Sequence, residues 1–276
     1  MRTWFITGAS RGFGALITKQ ALDSGDNVVA AARNPEQVMT QFGQHPNLLA
    51  VKLDVTRSKE VEQAVYSAVA HFGRIDVLVN NAGYGLLGAV EEASSEEVQS
   101  LFATNVFGLL EVTRAVLPHM RRQHTGHIIN ISSIGGYEAY AGWGVYGATK
   151  FAVEGLSEAL SQELRPLGIH VTVVEPGFFR TDFLDSSSLK KSGNVIPDYE
   201  ATVGAMRRYA AEANHGQPGD PEKLAQAFLR LVNAESPPIR LPLGSDTVQR
   251  IEQKHRIVEQ ELATWRSVAL STDFTA

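Results

Sequence analysis

Cysteine is absent from the chain, which excludes disulfides, thiolate metal sites and thiol nucleophiles, and leaves redox compartment unreadable from this residue type. Positive charge is not in excess: 25 Lys and Arg stand against 30 Asp and Glu, a formal net charge of −5. That balance argues against a nucleic-acid surface and for a small-molecule partner. No uninterrupted apolar run is long enough to read as a membrane span. The longest, residues 101–120, is broken by Asn105, Glu111, Arg114 and Pro118 and reads as a buried helix. Being apolar around much of its circumference, that helix needs a sheet on one side and a partner subunit on another, so a homo-oligomer, dimer or tetramer, is expected. Met1-Arg2 runs directly into a strand-like segment, leaving no room for the regions of a signal peptide, and a cytoplasmic protein is expected. His119, His124 and His127 are close in sequence but lack the i, i+4 pairing of a helical zinc site, so no metal is expected.

What the chain does have is a regular alternation of short apolar runs with helical patterns. Residues 3–7, 27–32, 48–52, 77–80, 127–131, 170–175 and 239–243 read as seven strands, mostly β-branched and continuously apolar. That pattern suits a parallel sheet covered by helices on both faces. The expected fold class is α/β, a single doubly wound Rossmann-type domain over residues 1–276. Such a sheet binds ligand beyond the C-terminal ends of its strands, where strand order reverses. Polar and turn residues fall there: Asp54 after the third strand, Asn81-Ala82-Gly83 after the fourth, Ser132-Ser133 after the fifth and Pro176-Gly177 after the sixth. Within 182–221, a serine run, Lys190-Lys191 and Gly216-Gln217-Pro218-Gly219 break up short helical pieces, which reads as a substrate lid. In the tail, 247–276, Val248, Ile251, Val258, Leu262 and Trp265 recur at helical spacing, and a helix docked through this apolar face is expected. Glu91-Glu92 and Glu96-Glu97 sit near a helix start, where acids complement the dipole, and read as structural.

Chemistry concentrates in two motifs. Tyr146 and Lys150 are four apart, a spacing that puts a phenol and an ammonium on one helix face, with Ser133 at a strand end thirteen residues upstream of Tyr146. Thr7-Gly8-Ala9-Ser10-Arg11-Gly12-Phe13-Gly14 follows the first strand and opens a helix, so its backbone can approach a pyrophosphate and aim the helix N-terminus at it.

Together these motifs make the chain resemble the short-chain dehydrogenase/reductase family, from Arg2 to about Leu243. The family's TGxxxGxG signature is matched by Thr7, Gly8, Gly12 and Gly14, its NNAG by Asn80-Asn81-Ala82-Gly83, and its Asn-Ser-Tyr-Lys set by Asn105, Ser133, Tyr146 and Lys150. The resemblance implies reversible hydride transfer between a nicotinamide cofactor and a carbonyl or alcohol, with Tyr146 as general acid/base, Ser133 orienting and polarising the substrate oxygen, Lys150 holding the nicotinamide ribose and Asn105 supporting a water that links Lys150 to solvent. An unperturbed tyrosine has a pKa near ~10, and a cation ~4 Å away at an effective dielectric of about 20 lowers it by up to about three units before desolvation opposes it. Lys150 is expected to acidify Tyr146 in this way.

The resemblance further implies cofactor contacts from Gly8, Ser10, Arg11, Gly12, Phe13 and Gly14, from Asp54 and Val55 flanking the adenine, from Asn81, Ala82 and Gly83 near its ribose, and from Pro176, Gly177 and Thr181 around the nicotinamide. Ala32 stands where NAD-preferring members carry an acid, with Arg33 next and Arg11 in the glycine turn. Two guanidinium groups suit a 2′-phosphate, so NADP(H) is expected to be preferred over NAD(H). Tyr84, Trp143, Phe178, Phe179 and Phe183 lie on segments bordering the cleft and suggest an apolar pocket for a hydrophobic ketone or aldehyde. A 3-oxoacyl-thioester reductase, a steroid or retinoid dehydrogenase, and a non-catalytic NADP-sensing protein are the alternatives, the last weakened by the intact Ser133, Tyr146 and Lys150.

Overall fold

The strand-like runs become strands because they are apolar on both sides, and the sheet they form is buried on both faces. The computed structural model describes residues 1–274. The seven expected strands are present as β1 (Thr3–Thr7), β2 (Asn27–Ala32), β3 (Leu48–Lys52), β4 (Val77–Asn80), β6 (Gly126–Ile131), β7 (Ile169–Pro176) and β9 (Arg240–Leu243). They form one parallel sheet in the order β3-β2-β1-β4-β6-β7-β9. Strand polarity of burial follows the pleat: Trp4 and Ile6 enter one core layer and Phe5 the other, all three fully buried, each worth about 1.5–3 kcal/mol relative to exposure. Helices α1 (Gly12–Asp23), α2 (Pro35–Phe42) and α8 (Pro221–Val232) cover the first face through Ile17, Ala21, Val38, Leu224 and Phe228. Helices α3 (Ser58–Phe72), α5 (Leu109–Gln123) and α6 (Gly144–Leu164) cover the second through Val61, Val65, Val112, Val116 and Leu164. Strand order reverses between β1 and β4, which opens a crevice at their C-terminal ends.

The 101–120 segment is helical throughout, as expected. Ser94 and Glu97 form a reciprocal capping box at the start of α4 (Ser95–Phe102), and a π-helical turn at Ala103–Gly108 carries the chain on into α5, with Pro118 accommodated inside it. The run Ser95–Gln123 has the length and apolarity to cross a membrane, but its apolar side packs into the body: Leu101, Val112, Val116 and Met120 are fully buried.

Two strands were not legible in the sequence. β5 (Gly85–Leu87) and β8 (Leu189–Lys191) pair in parallel and tie the lid to the body. Glu92 strengthens that tie. Its buried carboxylate accepts from the Ala89 N–H at 2.6 Å and from the Ile196 N–H at 2.9 Å, and pairs with Arg207 on the lid helix α7 (Ala205–Glu212). Glu92 and Glu97 are structural, as expected, and both also reach the lid.

The tail corrects the expectation of a docked helix. Helix α9 (Ser245–Leu270) forms, but Val258, Leu262 and Trp265 are 46%, 55% and 64% exposed. The reason is reach. Thr247 is buried, Arg250 lies over the Tyr140 ring at 4.6 Å and His255 meets Tyr137. Beyond that point every residue of the helix is exposed, so no described segment of the same chain covers its apolar stripe. Residues 275 and 276 of the expected tail lie outside the described residues.

Candidate active site

A cavity of about 830 Å³ opens along the C-terminal edge of the sheet. Of the residues expected at the site, all but Gly14 and Asn105 line it. Gly14 is nevertheless required for the turn: a Cβ there would strike the Gly8 carbonyl and approach Asn81 Nδ2 to 2.6 Å. Gly8 sits at φ 65°, in the left-handed region that favours glycine. Asn81 secures this turn. Its Nδ2 donates to the carbonyls of Thr7 at 2.9 Å and Gly8 at 3.1 Å, while the N–H groups of Asn81 and Ala82 donate to Thr7 Oγ1 at 2.9 and 3.0 Å. The side chain expected to touch cofactor is thus committed to shaping the loop. Phe13 lines the cavity and meets Phe179 edge-on, with ring centroids 5.6 Å apart; Phe179 belongs to the core beneath α1.

The Ser133, Tyr146 and Lys150 side chains come together in this cavity, as the spacing requires. Ser133 Oγ accepts from the Gly135 N–H at 3.0 Å and faces the Tyr146 phenol. Lys150 Nζ lies 5.7 Å from the Tyr146 ring centroid and donates to the Ile131 carbonyl at 2.8 Å. Asn105, on the π-helical turn, sits behind this set. Its Oδ1 accepts from the Tyr84 N–H at 3.1 Å, and its Nδ2 donates to the Tyr84 carbonyl at 3.0 Å and to Thr149 Oγ1 at 3.2 Å. It clamps the loop after β4 onto α6, and a Cβ on Gly83 would come to 3.1 Å from it.

Charge in this set differs from the expectation. Burial raises the Tyr146 pKa and outweighs the hydrogen bond from Ser133; burial likewise lowers Lys150 to about 8, with Glu154 opposing. Lys150 does not figure among the causes of the Tyr146 shift, and the balance set by burial favours the neutral phenol.

At the adenosine end, Arg33 is exposed and lines the cavity. Burial pushes Asp54 up, yet the two hydrogen bonds from Thr56 to its Oδ1, aided by Arg33 and Arg57, hold it below the usual carboxylate range. Arg11 is engaged elsewhere: its Nη2 donates to the Ser187 carbonyl of the lid at 2.6 Å. At the substrate end, Trp143 stacks with Phe183 at 6.4 Å and meets Tyr146 at 5.5 Å. Phe178 meets Tyr209, and Lys190 lies over the Tyr84 ring at 4.7 Å. Thr181 accepts from the Phe183 N–H at 3.3 Å and so orders the start of the lid.

Sequence reasoning missed Tyr140, Lys190 and Gln217, which also line the cavity. Gln217 is buried with neither amide atom paired among the described residues, and the Tyr140 hydroxyl is likewise unpaired. For Tyr140, its place between Ser133 and Tyr146 was a signal; for Gln217 the sequence offered none.

A glycine turn that tolerates no side chain, a helix N-terminus at the switch point, and a Ser-Tyr-Lys set in the same cavity fit a nicotinamide dinucleotide, and they define a Rossmann-type oxidoreductase. Residues 2–192 match the family model for short chain dehydrogenase. The chain is 39% identical to "Oxidoreductase BOA17" of Botryotinia fuckeliana, over 98% of this chain and 99% of that protein. It is 40% identical to a 3-ketodihydrosphingosine reductase of Bacteroides thetaiotaomicron, covering 87% and 86%. A short-chain dehydrogenase structure from Streptomyces avermitilis superposes with a TM-score of 0.91 at 40% identity, covering 99% of both chains. The chain belongs to the short-chain dehydrogenase/reductase family, whose members use NAD(H) or NADP(H).

Proposed function

We propose that the protein reduces a hydrophobic ketone or aldehyde to the alcohol, with NADPH preferred over NADH. The observation that carries this reading is the convergence of Ser133, Tyr146 and Lys150 in one cavity whose outer wall is aromatic. The bound dinucleotide supplies hydride. Gly8, Gly12 and the α1 N-terminus receive its phosphates, Arg33 favours a 2′-phosphate, and Lys150 holds the nicotinamide ribose. Ser133 hydrogen-bonds the substrate oxygen and holds it within reach of Tyr146, which donates the proton that the developing alkoxide needs. The neutral phenol of the buried site is the form this step requires. Trp143 and Phe183 present a flat apolar face to the rest of the substrate, and a long-chain 3-oxo compound is the second reading, favoured by that face and by the likeness to the 3-ketodihydrosphingosine reductase.

Tyr146→Phe tests the reaction. Ketone-dependent NADPH oxidation is expected to fall by at least ~10²-fold, with NADPH binding retained, since general acid catalysis alone contributes about 10²–10⁴-fold. Retained turnover would overturn the mechanism. A panel of long-chain 3-oxo compounds, oxoacyl thioesters, steroids and short ketones separates the two substrate readings.

We also propose a homo-oligomer in which α9 lies on a second copy of the chain. The face that meets Tyr137 through His255 continues in Val258, Leu262 and Trp265. A free helix of this length gains most of its stability from packing an amphipathic face.

A further inference from the structure

Behind Lys150, on the side away from the cavity, lie two buried carboxylates that the reaction scheme leaves unused. Glu154 is one helical turn along α6 from Lys150, and Glu175 sits on β7 just before Pro176. Their side chains are 7% and 0% exposed. Arg240 on β9 reaches both, with Nε 3.3 Å from Glu154 Oε2 and 3.5 Å from Glu175 Oε1, but its hydrogen bond geometry satisfies neither. Its Nη2 is turned to the half-exposed Glu158 at 3.0 Å. By strict geometry none of the four carboxylate oxygens of Glu154 and Glu175 is hydrogen-bonded among the described residues, although Arg240, the buried Ser132 hydroxyl and the Glu175 carboxyl all lie beside Glu154. Buried carboxylates without donors are costly, and a single proton between the two relieves both the missing hydrogen bond and the like-charge repulsion.

We propose that Glu154 and Glu175 share one proton, carried on Glu175, and that the ionised Glu154 is a positioning residue that keeps Lys150 cationic inside a dry site. The charge environment on every side supports this allocation. From α6, Glu154 faces Lys150 and Glu158; from β7 comes Glu175; from β9, Arg240; from the turn after Ser133, Tyr137, which in turn meets His255 of α9. Burial followed by Glu154 raises the Glu175 pKa, and Glu154 is the group that counters burial at Lys150. The proton sits farther from Lys150, and the negative charge sits nearer.

This inference rests on the reading of Lys150 as the cation of the active site, and its test has an arm that needs no turnover. Difference infrared spectra of the wild type at neutral pH are expected to show a protonated-carboxyl stretch that disappears in Glu175→Gln and persists in Glu154→Gln. In pH profiles of kcat/KM and of NADPH binding, Glu154→Gln is expected to move the basic limb down by about one pH unit. Glu175→Gln, which mimics the protonated acid, is expected to move it by less than half as much. Equal shifts in the two variants, no shift in Glu154→Gln, or no protonated carboxyl in the wild type would each overturn the proposal. Failure of Tyr146→Phe to abolish reduction would instead strike the reaction itself while leaving the infrared result intact.

Discussion

Replacing each of the two candidate phosphate-binding arginines in turn is expected to give unequal losses, because the structure does not treat them alike. Arg33 is exposed at the cavity edge beside Asp54, and no hydrogen bond ties its guanidinium down among the described residues. Arg11 holds the Ser187 carbonyl at 2.6 Å and must give up that bond to reach a phosphate. A charge-assisted hydrogen bond contributes about 1.5–3 kcal/mol, which at about 1.4 kcal/mol per decade corresponds to a loss of roughly 10- to 150-fold in NADPH affinity for Arg33→Ala. For Arg11→Ala the exchange of a neutral-carbonyl acceptor at about 0.5–1.5 kcal/mol offsets part of the gain, leaving about 1.0–1.5 kcal/mol, so the expected loss is about five- to twelvefold. NADH affinity is expected to change less than twofold in Arg33→Ala, since no 2′-phosphate is present to lose. Fluorescence titration of NADPH and NADH against the wild type and both variants measures all four changes. Equal loss of NADH and NADPH binding in Arg33→Ala, or a larger NADPH loss in Arg11→Ala, would refute the reasoning.

Two further expectations follow from burial. Lys150→Met is expected to abolish reduction yet to raise the unfolding temperature below pH 8. The Lys150 pKa is lowered to about 8 in the folded chain from 10.5, so the unfolded state binds more protons between those values and the wild type gains stability as pH rises through that window. Thermal unfolding from pH 7 to pH 10.5 should therefore show the variant's advantage shrinking; an advantage independent of pH would contradict a charged Lys150. Trp265→Glu in α9, whose indole is 64% exposed, is expected to leave the unfolding temperature of the isolated chain unchanged and to lower the oligomeric mass seen by light scattering; an unaltered mass would remove α9 from the interface.

The parts of the fold visible in the sequence are those where one physical requirement dominates. Strands buried on both faces must be continuously apolar, so Val28 to Ala32 and Val77 to Val79 announce themselves, and all seven sheet strands lie within a residue or two of where hydrophobicity places them. β5 and β8 escape because a three-residue strand has no period to detect, and Gly85-Leu86-Leu87 gains its partner only when the lid folds back. The tail misleads for a related reason. Periodicity reveals that α9 has an apolar face, but not which surface, or whose, lies against it.

The site follows the same division, and its least legible feature concerns charge. Spacing along α6 places Tyr146, Lys150 and Glu154 on one side of the helix, and that spacing together with Ser133 upstream marks the first two as a pair. The third obeys the same i, i+4 rule from Lys150 and carries the opposite charge. Its significance depends on Glu175 and Arg240, which arrive from strands 21 and 86 residues farther along the chain. Sequence spacing therefore predicts that Lys150 acidifies Tyr146, while the folded environment shows a phenol whose pKa burial has raised and a lysine whose own charge needs support. The two statements are reconciled if proton donation, not a standing phenolate, is what the site is built for in the direction of reduction. A neutral Tyr146 beside Ser133 is ready to give its proton. On the proposed mechanism Lys150 would stabilise the phenolate only as that charge develops, where a preorganised group lowers the barrier most.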